Sequence, residues 1–119
     1  MNDDEDVKIL REIKNTRGFV ESFHRVLSND DPKTLEIMFQ LWNNTITNNS
    51  LGGKETGLIR LAVVSALMNE TAISHSIDQA VTLGATYKEI IDAIKIAAYF
   101  GGVLVLVVAL KILEEKMKP

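Results

Sequence analysis

These 119 residues contain no cysteine. Disulfides, cysteine-ligated zinc and any mechanism whose nucleophile is a thiolate from this chain are therefore excluded. Proline is nearly missing as well, at two residues, and aromatic side chains make up only 6%. A core so poor in rings must be built from Leu, Ile, Val and Ala, which suits close helix packing better than a β-sandwich. An excess of one charge is also lacking: 13 basic residues against 16 acidic ones leave −3. The basic residues are scattered, so there is no electrostatic footprint for nucleic acid. The start, MNDDEDVK, is acidic and has neither the basic segment nor the apolar run of a signal peptide, which sets the expectation of a cytoplasmic protein. Nothing in the residue pattern calls for a cofactor or a metal.

What is present is 46% hydrophobic and 24% charged residues in a chain of one-domain length, the balance of an ordinary globular protein. The expected fold is all-α, a compact domain of six or seven helices built around a central hairpin over residues 58–84. Acids followed by Val7, Ile9, Leu10 and Ile13 predict a short amphipathic helix over residues 3–15. After Gly18 a second apolar stripe runs through Phe19, Val20, Phe23, Val26 and Leu27, with His24 on its edge. Asp31 and Pro32 are placed as N-cap and first helical residue. Leu35, Met38, Phe39, Trp42 and Ile46 follow at helical spacing and predict a core face. A polar loop is expected from Asn43 to Gly53.

From Lys54 the pattern changes. Between Leu58 and Met68 only Arg60 and Ser65 interrupt the apolar run, so this helix has almost no face for water and must be surrounded. After a bend at Asn69, Ile73, Ile77, Ala80 and Val81 lead an amphipathic helix to Gly84. Thr86 and Glu89 form a capping box. The helix behind it carries Ile90, Ile91, Ile94, Ala97 and Ala98 inward, then continues past Gly101 and Gly102 to Lys116 and Lys118, which suit the negative pole of its dipole. Residues 96–110 carry no charge, yet a stretch of that length is short of the roughly 20 apolar residues a membrane span needs. A domain of this size hides only about two-thirds of the surface its unfolded chain exposes. Two helices apolar all round therefore predict a homo-oligomer, with no membrane partner.

Lys54, Leu58-Ile59, Leu61-Ala62, Gly84-Ala85-Thr86, Glu89-Ile90 and Ala97-Ala98 before Gly101-Gly102 resemble, in order and spacing, the carboxymuconolactone decarboxylase and alkylhydroperoxidase-D-like superfamily. The resemblance covers residues 51–110 well and the helix after Pro32 more loosely; the first thirty residues do not match. It implies an all-helical fold that assembles as trimers or hexamers. It also implies a site, in which the peroxidase branch has a Cys-x-x-Cys pair at the start of the hairpin's second helix, a histidine four residues on, and a glutamate on the preceding helix. Those positions fall here on Asn69 and Ala72, Ser76, and Gly57, and none of the four side chains is kept.

His75 is one position from the family's histidine, a rotation of about 100° on a helix, which sets it with Thr71, Asp78 and Thr82 on the polar side. Glu55 is two positions from Gly57 and likewise points elsewhere. A dithiol cycle needs an attacking and a resolving thiol, so a family member without that chemistry, keeping an oligomeric small-molecule pocket, is the leading expectation. Two rivals stand beside it. One is a cysteine-independent decarboxylase or lactone-type enzyme, whose acid, base and anchor candidates are His75, Ser76, Arg60 and His24. The other is a non-catalytic binding or assembly protein. A closed apolar plug around Ala72 and Ser76 favours assembly; a cavity holding His24, His75 or Arg60 favours a ligand.

Overall fold

The computed structural model describes residues 7–117. Among them are seven α-helices and no strand, in two compact units that divide after Asn49.

The first unit holds α1 (Lys8–Arg17), α2 (Ser22–Asp30) and α3 (Pro32–Trp42). The acids expected to open the first helix, residues 3–6, lie outside the described residues. Leu10 and Ile13 of α1 close on Leu35 of α3, with Val7, Ile9, Val20, Leu27 and Phe39 around them. The start of α3 is as expected: Asp31 accepts hydrogen bonds from the Thr34 N–H at 3.2 Å and the Thr34 hydroxyl at 2.6 Å, satisfying an orphan donor of the first turn.

Three expectations fail in this unit. The stripe on α2 is not the buried face, because Phe23 and Val26 are exposed and His24 is the residue buried, at 4% exposure. Phe19 and Val20 precede the helix, whose phase is set by a capping box between Glu21 and His24. On α3 only Leu35 is fully buried, and Met38 is exposed. The polar run after Trp42 does not begin as a loop: residues Asn43–Thr47 continue the helix as one wide π turn. The Asn49 amide then donates to the carbonyls of Thr45 and Ile46, both at 3.0 Å, and ends it.

The second unit packs α4 (Gly53–Ala66), α5 (Glu70–Thr82), α6 (Tyr87–Gly101) and α7 (Leu104–Lys116) around Leu61, Ile73, Ile77, Ala80, Ile90, Ile94, Ala109 and Leu113. Helix α4 is its centre and touches all three others. Small residues let it approach closely. A Cβ on Gly57 would lie 3.5 Å from the Ala80 Cα and 3.1 Å from the Leu83 Cδ1, and one on Gly101 would lie 3.5 Å from the Ala66 Cα. Between α4 and α5 the chain turns at Met68, whose φ of 59° is left-handed, a conformation that costs an L-residue roughly 1–2 kcal/mol. Met68 packs against the Ala97, Ala98 and Val105 cluster, and that burial offsets the strain. The Thr86 and Glu89 capping box is formed as expected, and Lys54 pairs with Glu89 at 2.9 Å, linking the starts of α4 and α6.

One expectation is corrected here. The last apolar stretch is not one helix, because Gly102 sits at φ 104°, ψ 155°, a region open essentially to glycine alone, and α7 begins afresh at Leu104. Within one chain the apolar run of α4 is only partly covered. Ile59, Val63 and Leu67, spaced one turn apart, are exposed, as are Ile96, Val103, Leu104 and Val107, while Tyr99 and Phe100 stand 85% and 83% exposed. Among the described residues no helix is long and apolar enough to cross a membrane. Replacing Gly102 with alanine is expected to destabilise the fold by about 1–3 kcal/mol, read as a lower urea midpoint with an unchanged slope.

Candidate functional site

Two places in the molecule bear on chemistry, one in each unit. In the second unit the four positions singled out by the family resemblance lie on α4 and α5. Asn69 is the N-cap of α5, its side-chain oxygen accepting from the Ala72 N–H at 3.1 Å. Where a low-pKa thiolate would draw stabilisation from the helix start, an uncharged amide holds the backbone instead. Ala72 is half-buried and offers only a methyl group. Ser76 is 0% exposed, and its hydroxyl has no hydrogen-bond partner. Gly57 is buried with its Cα hydrogen turned toward Ala80 and Leu83. Gly57 and Ser76 are packed shut, and none of the four positions carries a thiol, imidazole or carboxylate.

His75 stands on the next face of α5, in a shallow groove with Thr71, Ser74, Ile112, Glu115 and Lys116. Lys116 reaches Asp78 at 3.0 Å on the same side. His75 and Ser76 therefore do not meet at a common site, as the 100° helical step requires. Arg60 is half-buried on α4. The groove at His75 is too open to exclude water, which acid–base chemistry on a small substrate needs.

The first unit holds a cavity of about 160 Å³ lined by Arg17, Phe23, His24, Leu35, Met38, Phe39 and Trp42. Its construction begins at the α2 N-terminus. The Glu21 carboxylate accepts from the His24 backbone N–H, and the His24 ring accepts from the Glu21 backbone N–H at 2.9 Å through Nδ1. The other ring nitrogen, Nε2, lies 3.3 Å from Arg17 Nη1. A neutral imidazole has one acceptor nitrogen, and both neighbours are donors. The shorter contact decides which is served: 2.9 Å between two N–H groups would be the more repulsive arrangement, so Nδ1 accepts and Nε2 carries the proton. Arg17 is held against the rings of Phe19 and Trp42, its guanidinium carbon 5.0 and 5.2 Å from their centroids, contacts of the cation–π type.

Electrostatics follow from this placement. Burial pushes the His24 imidazole below its ordinary value, the Arg17 guanidinium and Arg25 push the same way, and Glu21 opposes them. Burial likewise lowers the proton affinity of Arg17, with Glu21 opposing. Sequence reasoning found His24 but not Arg17. A usable signal was present: Phe19, Phe23, Phe39 and Trp42 are four of the chain's seven aromatic residues, concentrated in a segment that otherwise offers little to pack against.

The family model described as "Carboxymuconolactone decarboxylase family" matches residues 32–115, which takes in α3 to α7. No curated protein and no solved structure matches the chain significantly. Arg17 and His24 both lie N-terminal to the matched span.

Two outcomes test this description. A histidine whose folded pKa is depressed binds its proton more readily when unfolded, so it weakens the fold as pH falls below its ordinary 6.5 and stops doing so below the folded value. Urea midpoints measured from about pH 7.5 down to about pH 5.5 are expected to decline, and the decline is expected to flatten in H24Q, which keeps an acceptor for the Glu21 N–H. Placing the family's glutamate back at Gly57 should destabilise the chain by about 3 kcal/mol or more, since a charge must enter a closed apolar contact; thermal denaturation of G57E measures it.

Proposed function

Because the chain belongs to the carboxymuconolactone decarboxylase family, we propose that it acts as a self-assembling member of that family in which dithiol peroxide chemistry has been replaced by packing. The observation that carries this reading is the state of the hairpin. Asn69 caps a helix, Ser76 is fully buried with its hydroxyl unpartnered, and Gly57 lies flush against Ala80. Each former chemical position now serves a fold contact or fills space. Without cysteine the thiolate attack and its resolving step have no atoms to run on.

Assembly is the second half of the proposal. Ile59, Val63 and Leu67 on α4, Ile96, Tyr99 and Phe100 on α6, and Val103, Leu104 and Val107 at the start of α7 are large apolar side chains left in water by a single chain. Contiguous apolar patches beyond a few hundred Å² are rare on monomers and mark interaction surfaces. A second copy presents the same stripes, and the trimeric or hexameric assembly implied by the family resemblance would cover them.

Light scattering on the purified chain at micromolar concentration is expected to give a trimer or hexamer. The double variant Y99E/F100E, which puts charge into the proposed interface, is expected to shift the mass toward monomer while keeping helical circular dichroism. A stable monomer for the unaltered chain overturns the assembly reading. Dithiol-dependent reduction of a hydroperoxide is expected at no more than the rate of a denatured control, and turnover above that rate overturns the replacement reading.

A further inference from the structure

We propose that His24 is a proton-operated latch on α2: when its ring takes up a second proton, the cap at the start of α2 opens and the helix loosens from α1 and α3 while the second unit stays folded. The proposal is independent of the assembly reading, since every residue it uses belongs to the first unit.

Three observations converge on it. The first is how α2 is attached. Its one fully buried side chain is the His24 ring, at 4% exposure, while Phe23 and Val26 stand 40% and 55% exposed and Leu27 adds a partly buried contact. A helix of nine residues needs tertiary support, since isolated helices shorter than about 12–15 residues are marginal in water. The support of α2 thus rests heavily on a side chain that can change charge.

The second observation is that the ring has no place for another proton. Nδ1 accepts from the Glu21 N–H at 2.9 Å, and Nε2 lies 3.3 Å from Arg17 Nη1. An imidazolium carries a hydrogen on both nitrogens and accepts nothing, so one would point at the Glu21 N–H and the other at the guanidinium. Other partners of Arg17 leave its charge, and so this conflict, in place.

The third is the surroundings. Burial disfavours the charged ring most, Arg17 of α1 and Arg25 of α2 itself act the same way, and Glu21 opposes them. From α3 the cavity receives Leu35, Met38, Phe39 and Trp42, none of which titrates. The Glu21 carboxylate has lone pairs beyond the bond it accepts from the His24 backbone N–H, and it can receive a charged ring. Nδ1, however, is aimed at the Glu21 N–H, so a charged ring gives its proton to that carboxylate only by leaving the capping contact. Pairing with Glu21 is one way for the latch to open.

The test is an NMR titration of the full chain from about pH 7.5 to about pH 5, with Trp42 emission followed in parallel. The His24 ring is expected to titrate with a midpoint below 6.5. The Glu21 amide proton should shift with the same midpoint as it loses its acceptor, and emission of Trp42, the single tryptophan and a neighbour of His24 in the cavity wall, should change with it. Amide signals of α4 and α6 should stay in place. Glutamine at the third helical position is the usual capping-box partner, so H24Q keeps the cap without the titration and should lose the Glu21 and Trp42 responses. A ring midpoint at or above 6.5, a Glu21 amide that does not follow the ring, unfolding of α4 and α6 at the same midpoint, or an unchanged response in H24Q would each overturn the proposal. The first three are read on the unaltered chain, so they decide the matter even if H24Q does not fold.

Discussion

The second unit depends on how closely α4 can approach its neighbours. A helix with so little polar surface is stable only if other helices come within van der Waals reach on several sides, and interaxial distance is set by the side chains at the contact. Gly57 against Ala80 and Gly101 against Ala66 allow that approach. Around these points Leu61, Ile73, Ile77, Ile90 and Ile94 interdigitate into a core without a single aromatic residue among them. The left-handed turn at Met68, the glycine break at Gly102 and the Lys54–Glu89 pair all serve the same end. They bring the next helix back onto α4.

That constraint also bears on the positions that the family resemblance singles out. A glutamate in place of Gly57 and a histidine in place of Ser76 need space, water and hydrogen-bond partners in the heart of the contact. With glycine and serine there, α5 packs directly on α4. The cost is one unsatisfied hydroxyl at Ser76, of the order of 1–3 kcal/mol. The hairpin tolerates it because its apolar burial is much larger than that.

Helix capping and hydrophobic spacing were legible in the sequence wherever a signal is local. Asp31 before Pro32, the Thr86–Glu89 box and the bend near Asn69 depend on residues within one turn of each other, and all three appear in the structure. The π turn at Asn43–Thr47 was not legible, since Asn, Thr and Ser runs favour loops and wide turns alike. The phase of α2 was misjudged for a related reason. The apolar stripe takes in Phe19 and Val20, but the helix begins at Ser22 behind its Glu21 N-cap, so the count starts outside it. The cavity was only half legible: His24 stood out by residue type, whereas Arg17 reaches it across the turn after α1, a spacing that no helical periodicity encodes. The excess of apolar surface on α4 was legible from its composition, but which of its residues a single chain leaves exposed, Ile59, Val63 and Leu67, depends on where α5, α6 and α7 pack and is not encoded in its own spacing.

Asn69 holds the first turn of α5 with a group that neither ionises nor oxidises. A thiolate at a helix start is sensitive to both pH and redox potential, because its charge interacts with the dipole and its sulfur can be oxidised. The amide oxygen of Asn69 makes its bond to Ala72 in the same way at every physiological proton and electron activity. The start of α5 is thereby held by a contact that neither a change of pH nor an oxidant acting on thiols can release, unlike a cap built on a dithiol.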